Sequence, residues 1–354
     1  MPTASTHTRT RFAKDQPEAM MTIVTRLATV AALLGVSVTA AAQEKVSFGT
    51  NWVAQAEHGG YYQAAADGTY KKYNLDVRIV PGGPQANNRM LLPVGRIDFY
   101  MGGNMIQAFS AVQENIPTLV VAAIFQKDPQ VLLAHPGQGF ERFEDLKKSN
   151  DILISKEGLA TFYQWLKTEH GFREGQIKPY TFNPAPFVTN KRAVMQGYVT
   201  SEPLAVEKAG GFKPVVHLLA DHGFDTYSTT LETRREMVEK NPDLVRRFVE
   251  ASIIGWSTYL YGDNRAGNAA IMKDNPEMTD EQIAYSLARM KEYGIVDSGD
   301  AQRLGIGAMS DERMKSFFEK MARAGLLKAN LDYRKSYTLQ FVNKGVGVDL
   351  RPKP

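Results

Sequence analysis

Strand-like runs alternate with longer helical patterns along most of this 354-residue chain. Residues 45–49 (KVSFG), 75–80 (LDVRIV) and 118–125 (TLVVAAIF) are apolar or alternate with period two, as β-strands do. A helical pattern at 60–73 lies between the first two strands, and another at 107–114 precedes the third. This alternation predicts βα units, in which helices cover both faces of a mainly parallel sheet.

The pattern begins again near residue 131 and is followed by long helices. Further strands are predicted at 131–134, 152–155, 177–182, 198–201 and 214–219. Further helices are predicted at 158–170, 189–197, 234–261, 280–293 and 311–324. Two β/α sets, the second enclosed by the first, predict an α/β fold of two lobes. We expect lobe 1 to comprise residues 43–132 and 223–354, and lobe 2 to comprise residues 133–222.

Residues 1–42 have the features of a leader and signal peptide. Arg26 precedes an apolar run over 27–38, and three consecutive alanines at 40–42 follow. A positive region, an apolar region and a small-residue cleavage site are typical of a secretory signal peptide. The apolar run is shorter than the roughly 18 residues that span a bilayer. We therefore expect a periplasmic protein, exported by a cleaved signal peptide.

Composition excludes several function classes. The chain has no Cys, so it has no disulfide and no thiol nucleophile. Residues 1–42 carry four cationic and two anionic side chains, so their removal lowers the net charge from +4 to +2. A near-neutral protein that has no basic run flanked by aromatic residues is not expected to bind nucleic acid.

Motifs of common enzymes and metal sites are absent from the sequence. It has no G-x-S-x-G, no H-E-x-x-H, no P-loop and no G-x-G-x-x-G pattern. None of the six His lies four residues from another, as two metal ligands on one helix would. We predict no catalytic residue, no metal site and no cofactor.

The segment after the first strand is the strongest candidate for a ligand site. Asn51 and Trp52 follow that strand, and Glu57, His58 and Gly59 open the next helix. Ligands of such sheets bind beyond the carboxyl ends of strands. Trp offers a flat face, Glu accepts from an amine, and Gly lets backbone N–H groups approach a ligand. The alternative is a capped helix with one packed Trp.

Later strand ends supply further candidates. Asn104 follows the strand predicted at 97–102 and can offer both a donor and an acceptor to a heterocycle, or can belong to a plain turn. Tyr198 and Glu202 lie in YVTSEP, where the carboxylate can bind an amino or amidine group or can be a surface group. Tyr227 lies at the predicted return between the lobes and contributes either to the site or to the hinge.

Six motifs within residues 45–345 carry a family resemblance: NWVAQAEHGGYYQA, GGPQANN, GRIDFYMGG, VAAIFQKDPQVLLAHP, YVTSEPLAVEKAGG and GIGAMSDERMKSFFEKMARAGLL. They resemble periplasmic solute-binding proteins that deliver thiamine pyrimidine precursors to ABC importers, the ThiY-like family, which is related to the fungal thiamine pyrimidine synthases. The resemblance implies the two-lobed type II periplasmic-binding fold. It also implies a small aromatic heterocycle as ligand, such as a formylamino- or hydroxymethyl-pyrimidine.

The same resemblance implies roles for individual residues. Trp52 and Tyr62 match aromatic walls, and Glu202 matches the partner of a pyrimidine amino group. Asn51 and Asn104 match further polar contacts. The fungal synthases resemble this chain at E-H-G-G, where His58 matches a His consumed as a nitrogen donor, but they also carry a Cys-rich motif that this chain lacks.

These observations favour a non-catalytic, monomeric binding protein that closes over a heterocycle and docks on the membrane permease of an ABC importer. Two alternatives stay open. One is an enzyme similar to the pyrimidine synthases that uses pyridoxal phosphate. The other is a ligand-sensing binding protein that presents its closed form to a signalling receptor.

Overall fold

Two five-stranded sheets organise the protein, as seen in a computed structural model that describes residues 42–83 and 86–352. The signal peptide predicted from 1–42 lies almost entirely outside these residues. The described strands are β1 Glu44–Gly49, β2 Leu75–Val80, β3 Phe99–Asn104, β4 Thr118–Phe125, β5 Gln130–Ala134, β6 Ile152–Ile154, β7 Ile177–Pro179, β8 Val194–Tyr198, β9 Val215–Leu218 and β10 Ser228–Arg234.

Each sheet has four strands running one way and one strand running the other way. The first sheet has the order β2-β1-β3-β10-β4, with β1 parallel to β2 and β3, and with β10 antiparallel to β3 and β4. The second has the order β7-β6-β8-β5-β9, with β6 parallel to β7 and β8, and with β5 antiparallel to β8 and β9. The predicted α/β class is confirmed, and both sheets are mixed, because one strand in each runs against the other four.

Helices cover these sheets. Within the described residues they are α1 Gly59–Ala66, α2 Thr69–Lys72, α3 Met105–Gln113, α4 Lys156–Ala160, α5 Phe162–His170, α6 Ala185–Thr189, α7 Glu202–Gly210, α8 Arg235–Lys240, α9 Pro242–Tyr261, α10 Arg265–Asp274, α11 Asp280–Glu292, α12 Gly299–Leu304 and α13 Asp311–Arg323. In this part of the chain, none is both long and apolar enough to cross a membrane.

Packing of α9 and the central strands explains the most apolar segments. All eight residues of β4 are buried, as expected for a strand covered on both faces. On α9, the Phe248 ring stacks 4.0 Å from the Phe99 ring and lies 5.5 Å from the Phe48 ring. Contacts between large aromatic side chains of α9 and the first sheet therefore anchor this helix.

The chain passes twice between the sheets. It leaves the first sheet after β4, forms the second sheet over 130–218, and returns to place β10 between β3 and β4. The connecting segments are 126–129 and 219–227. The boundaries given above for the two lobes stay a prediction.

Two element predictions are wrong. Residues 189–197 are not one helix, because α6 ends at Thr189 and β8 begins at Val194. The strand predicted at 198–201 is also wrong, because β8 ends at Tyr198 and residues 199–201 form the turn that follows it. β8 is short and fully buried along most of its length, so its apolar residues give no period-two alternation to distinguish it from a helix.

Candidate functional site

A cavity of about 130 Å³ lies where the carboxyl ends of β1, β3, β6 and β8 meet the starts of β5 and β10. Both sheets therefore contribute to its wall. Seven of the ten residues predicted for the site line it: Asn51, Trp52, Glu57, His58, Asn104, Tyr198 and Glu202. The rule that ligands bind beyond the carboxyl ends of strands thus leads to this cavity.

The other three predicted residues lie outside the lining. A Cβ atom on Gly59 would come 2.0 Å from the Tyr259 ring, so this glycine permits close contact between α1 and α9. The Tyr62 hydroxyl donates to Asp274 Oδ2 at 3.0 Å, which turns its ring toward α10. Tyr227 is buried at the second crossing segment, where its hydroxyl donates to Asp300.

Trp52 is held by the tight turn that follows β1. Its carbonyl accepts from Thr50 Oγ1 at 2.8 Å and from the Gly82 N–H at 3.0 Å. A Cβ atom on Gly82 would come 2.4 Å from the Thr50 carbonyl oxygen, so only glycine permits this approach. The loop after β2 therefore fixes the backbone that presents the indole.

An aromatic pair spans the cavity. The Trp52 and Phe182 ring centroids are 4.8 Å apart at 44°, and Phe182 in turn lies 5.3 Å from Tyr180. Trp52 follows β1 of the first sheet, and Phe182 follows β7 of the second. Flat rings from the two sheets thus meet at the site, an arrangement suited to holding an aromatic ligand.

Two lining residues have an unusual backbone conformation. Outside glycine, φ is positive at five described residues, of which three are Asn, a residue that tolerates this region. The other two are Phe182, with φ of 62°, and Thr229, with φ of 47°. Both line the cavity. Bulky or β-branched residues in this region cost about 1–3 kcal/mol each and tend to lie at functional sites.

Glu57 is buried in the cavity wall with a partner from the second sheet's side. It is 4% exposed and accepts a hydrogen bond from the Thr200 hydroxyl. The Thr200 carbonyl accepts from Ser286 Oγ at 2.7 Å, which fixes this segment on α11. Burial raises the pKa of Glu57, and the nearby Glu202 carboxylate raises it further.

His58 is fully buried, and neither ring nitrogen has a hydrogen-bond partner in the described part of the chain. Burial lowers the pKa of His58 to about 3, so the imidazole is neutral. A buried polar group without a partner costs roughly 1–3 kcal/mol, and such groups in native proteins call for an explanation. Asn51 Oδ1 is a second buried acceptor without a partner in these residues. A ligand in the cavity would supply partners for both.

Asp128 lies in the first crossing segment and was not predicted as a site residue. It is 3% exposed and accepts from the Gln130 N–H at 2.9 Å. Burial raises the pKa of Asp128 to about 7, although hydrogen bonds from Gln130 and from the Asn104 side chain favour the charged form. Asn104 also caps α3, because its Oδ1 accepts from the Ile106 N–H at 3.1 Å.

Glu202 begins α7 and folds back on the end of β8. It accepts from the Tyr198 N–H at 2.7 Å, from the Tyr180 hydroxyl at 3.3 Å and from Ser201 Oγ. A Cβ atom at residue 197 would come 2.6 Å from the Glu202 side chain, so Gly197 makes room for the carboxylate. Glu202 is thus held in place at the cavity wall.

A fourth acid, Glu157, lies at the edge of the cavity at the start of α4. Its Oε1 accepts from Gln107 Nε2 of α3 at 3.0 Å. The residue is exposed overall, yet partial desolvation of its carboxylate raises its pKa. Arg89 donates to Gln107 at 2.8 Å and pairs with the buried Glu232 at 3.3 Å. A polar chain therefore joins β10 of the first sheet to the second sheet's side.

Three of the lining residues that sequence reasoning missed lie at the crossings between the sheets, and a fourth lies in a loop. Asp128, Gln130 and Phe224 belong to the crossing segments or their borders, and Phe182 lies in the loop after β7. Only the position of a crossing indicates the first three, and the first boundary between the lobes was expected at residue 133, after Asp128. In the described ranges, no group of three or more His, Asp or Glu is arranged to hold a metal ion.

Comparison with known proteins places this architecture in a family. A family model described as NMT1/THI5 like matches residues 55–264, more than half of the chain. This chain belongs to the NMT1/THI5 like family. The riboflavin-binding protein RibY of Chloroflexus aurantiacus is 21% identical to it over 309 residues, which cover 85% of this chain and 87% of RibY.

Two solved structures share the fold of this NMT1/THI5 like protein. The ligand-binding component of an ABC-type import system from Staphylococcus aureus, with zinc bound, has a TM-score of 0.62 and 13% identity over 84% of this chain and 98% of that one. The periplasmic aliphatic sulphonate binding protein SsuA from Escherichia coli has a TM-score of 0.62 and 15% identity over 83% of this chain and 91% of its own. The fold is therefore that of periplasmic binding proteins, whereas ligand choice depends on the site.

Proposed function

We propose that this protein is the periplasmic ligand-binding component of an ABC importer, and that its ligand is a small aromatic heterocycle such as a thiamine pyrimidine precursor. The observation that carries the proposal is the cavity itself. It brings the Trp52 and Phe182 rings together with the buried carboxylate of Glu57 and the fixed carboxylate of Glu202. Ring faces and a few placed polar groups are what a heterocycle requires.

Cavity size favours a single substituted ring. One buried water needs about 10–15 Å³, so the 130 Å³ of this cavity accommodates roughly ten water-sized groups. A substituted pyrimidine has about that many non-hydrogen atoms. The tricyclic ring and side chain of riboflavin, the ligand in the name of RibY, need more space. The proposal therefore departs from the ligand of that relative.

Charge disfavours a sulfonate, the ligand class in the name of E. coli SsuA. The described lining contains the four acids Glu57, Asp128, Glu157 and Glu202, and it contains no Lys or Arg. An anion placed there would lack a charged partner and would be repelled by the carboxylates. A neutral or cationic ligand with N–H donors suits these acceptors.

The same lining supports binding without catalysis. A pyridoxal phosphate enzyme of this kind needs a lysine to hold its cofactor covalently, and the described lining has none. His58 matches the E-H-G-G segment of the fungal synthases, but burial keeps it neutral. We infer that it binds the ligand as a hydrogen-bond donor and acceptor.

Import requires that the protein close on its ligand and present that form to a permease. Contacts that join the two sides support such a closed form. They include the Trp52–Phe182 pair and the Gln107–Glu157 hydrogen bond. A monomer leaves both sides free to move, and we propose that state.

Mass spectrometry of the small molecule released by denaturing the purified protein tests the ligand class. Calorimetry with an aminopyrimidine, riboflavin and an alkanesulfonate provides the second measurement. We expect binding of the aminopyrimidine and a large loss of affinity in Trp52→Ala. Preferential binding of the sulfonate, or unchanged binding after Trp52→Ala, would contradict the proposal.

A further inference from the structure

Four acidic side chains line the cavity, and none of the described lining residues is a Lys or Arg that could pair with them. Glu57 has the Thr200 hydroxyl as partner, and Asp128 has the Gln130 N–H and the Asn104 side chain. None of these partners carries a charge. Arg89 lies near Glu157, but it donates to Gln107 and pairs with Glu232.

His58, a basic side chain in the cavity lining, does not supply a positive charge to pair with these acids. His58 is fully buried with both ring nitrogens unpartnered, and burial lowers its pKa to about 3. It therefore stays neutral beside Glu57 and can pair with a ligand only through neutral hydrogen bonds. A positively charged ligand would supply the partner that these acids lack, and its charge would favour their ionised form.

A metal ion is a poor candidate for that role. In residues 42–83 and 86–352, no three His, Asp or Glu side chains are grouped closely enough to coordinate one. The acids come from separate elements: Glu57 precedes α1, Asp128 lies in the first crossing segment, and Glu202 begins α7. A flat organic cation with N–H groups at several edges matches acceptors that are spread in this way.

We propose that the ligand is bound as an organic cation, a protonated amino-substituted aromatic ring whose N–H groups are held by Glu57, Asp128 and Glu202. This inference rests on the proposed function and names the charge state of its ligand. The Trp52 and Phe182 rings add to cation binding, because a cation is attracted to the faces of aromatic rings. Glu57 and Asp128 both have acceptor capacity left, since an ionised carboxylate has about four lone-pair sites.

The test compares two probes of one shape. 4-Amino-1-methylpyridinium is a permanent cation, and 4-methylaniline is its neutral counterpart at neutral pH. Calorimetry on the full exported protein, stripped of copurified ligand, should show the cation bound at least about tenfold more tightly, or ~1.4 kcal/mol. Glu57→Gln and Asp128→Asn should each remove most of that difference, whereas Glu144→Gln on the exposed surface should keep it.

Equal or tighter binding of 4-methylaniline would overturn the inference, as would a preference that survives in both carboxamide variants. Melting curves followed by circular dichroism establish that each variant is folded, and two variants keep the test valid if one fails to fold. If neutral heterocycles bind and the pyridinium does not, the charge state is wrong while the proposed function stands. If neither these probes nor any heterocycle binds, the proposed function itself fails.

Discussion

The guanidinium of Arg313 lies 4.0 Å from the ring centroid of Tyr227, and it joins the two segments on which the chain crosses between its sheets. From α13 it donates to the carbonyl of Gln126 in the first crossing segment, and to those of Asp225 and Thr226 in the second. Tyr227 therefore supports this cation instead of lining the cavity. A single side chain thus contacts both connections.

Replacing this guanidinium should loosen the connections. Arg313→Lys keeps the charge but loses the planar fork that reaches two segments at once. We expect the free energy of unfolding to fall by about 1–3 kcal/mol, the range for hydrogen bonds to charged groups. Urea denaturation measures the change, with Arg323→Lys on the exposed side of α13 as the control. Equal stability of the two variants would show that the contacts with the crossing segments contribute little.

Asp128 should make stability depend on pH. Burial raises the pKa of Asp128 from 3.8 to about 7, so the unfolded chain loses this proton at lower pH than the folded chain does. The cost of burying the acid therefore develops as pH rises from about 4 to about 7 and is complete above that window. At full size it is on the order of 4 kcal/mol.

Asp128→Asn removes that cost and retains an oxygen to accept from the Gln130 N–H. We expect the variant to be more stable than the wild type at pH about 8, where the buried wild-type carboxyl is ionised, and close to it at pH about 4, where that carboxyl is protonated in the folded chain. Denaturation at the two pH values measures the difference, with the exposed Asp76→Asn as control. A stability difference independent of pH would contradict the assignment.

The sequence allowed much of the fold to be predicted, because its signals are local. β2 and β4 alternate or are apolar throughout, and both were predicted with the bounds that the structure has. β10 was missed. It pairs with β3 and β4, more than a hundred residues earlier in the chain, and STTLETR has little apolar character of its own. Its strand conformation depends on partners that local patterns do not contain.

The candidate site was predictable where it follows a strand. Trp52 and Glu202 were found because they lie at the ends of β1 and β8, where α/β folds place ligands. Gly59 was assigned to ligand approach, but its missing side chain makes room for Tyr259. A glycine at the start of a helix looks the same in the sequence whether it lets a ligand approach or lets another helix pack closely. Only the position of α9 in the structure distinguishes these two roles.

Close contact between α1 and α9 leads to another prediction. A Cβ atom on Gly60 would come 2.1 Å from the Trp256 ring, which is fully buried and has no room to move. We expect Gly60→Ala to lower the free energy of unfolding by about 1–3 kcal/mol through overpacking. Gly175→Ala is the matched control, because no atom lies within 4 Å of its added Cβ atom and its φ is not positive. Similar stability of both variants would mean that α1 shifts without cost.

Quenching of tryptophan fluorescence reports on the aromatic pair at the cavity. Of the three Trp residues, Trp165 and Trp256 are 1% and 0% exposed, whereas Trp52 is half-buried beside Phe182. Acrylamide should therefore reach mainly Trp52. Phe182→Ala removes the ring 4.8 Å away, so we expect the quenching constant of the accessible component to rise by roughly a factor of two or more.

Two control variants test whether the accessible component of the fluorescence comes from Trp52 and depends on Phe182. Trp52→Phe should abolish the accessible component, and Phe212→Ala removes a ring that packs with His135, away from the indole, so it should leave quenching unchanged. A heterocycle that binds in the cavity beside Trp52 should protect the indole in the wild type. Unchanged quenching in Phe182→Ala would show that the two rings are not paired in solution, and the aromatic wall of the proposed site would then have to be abandoned.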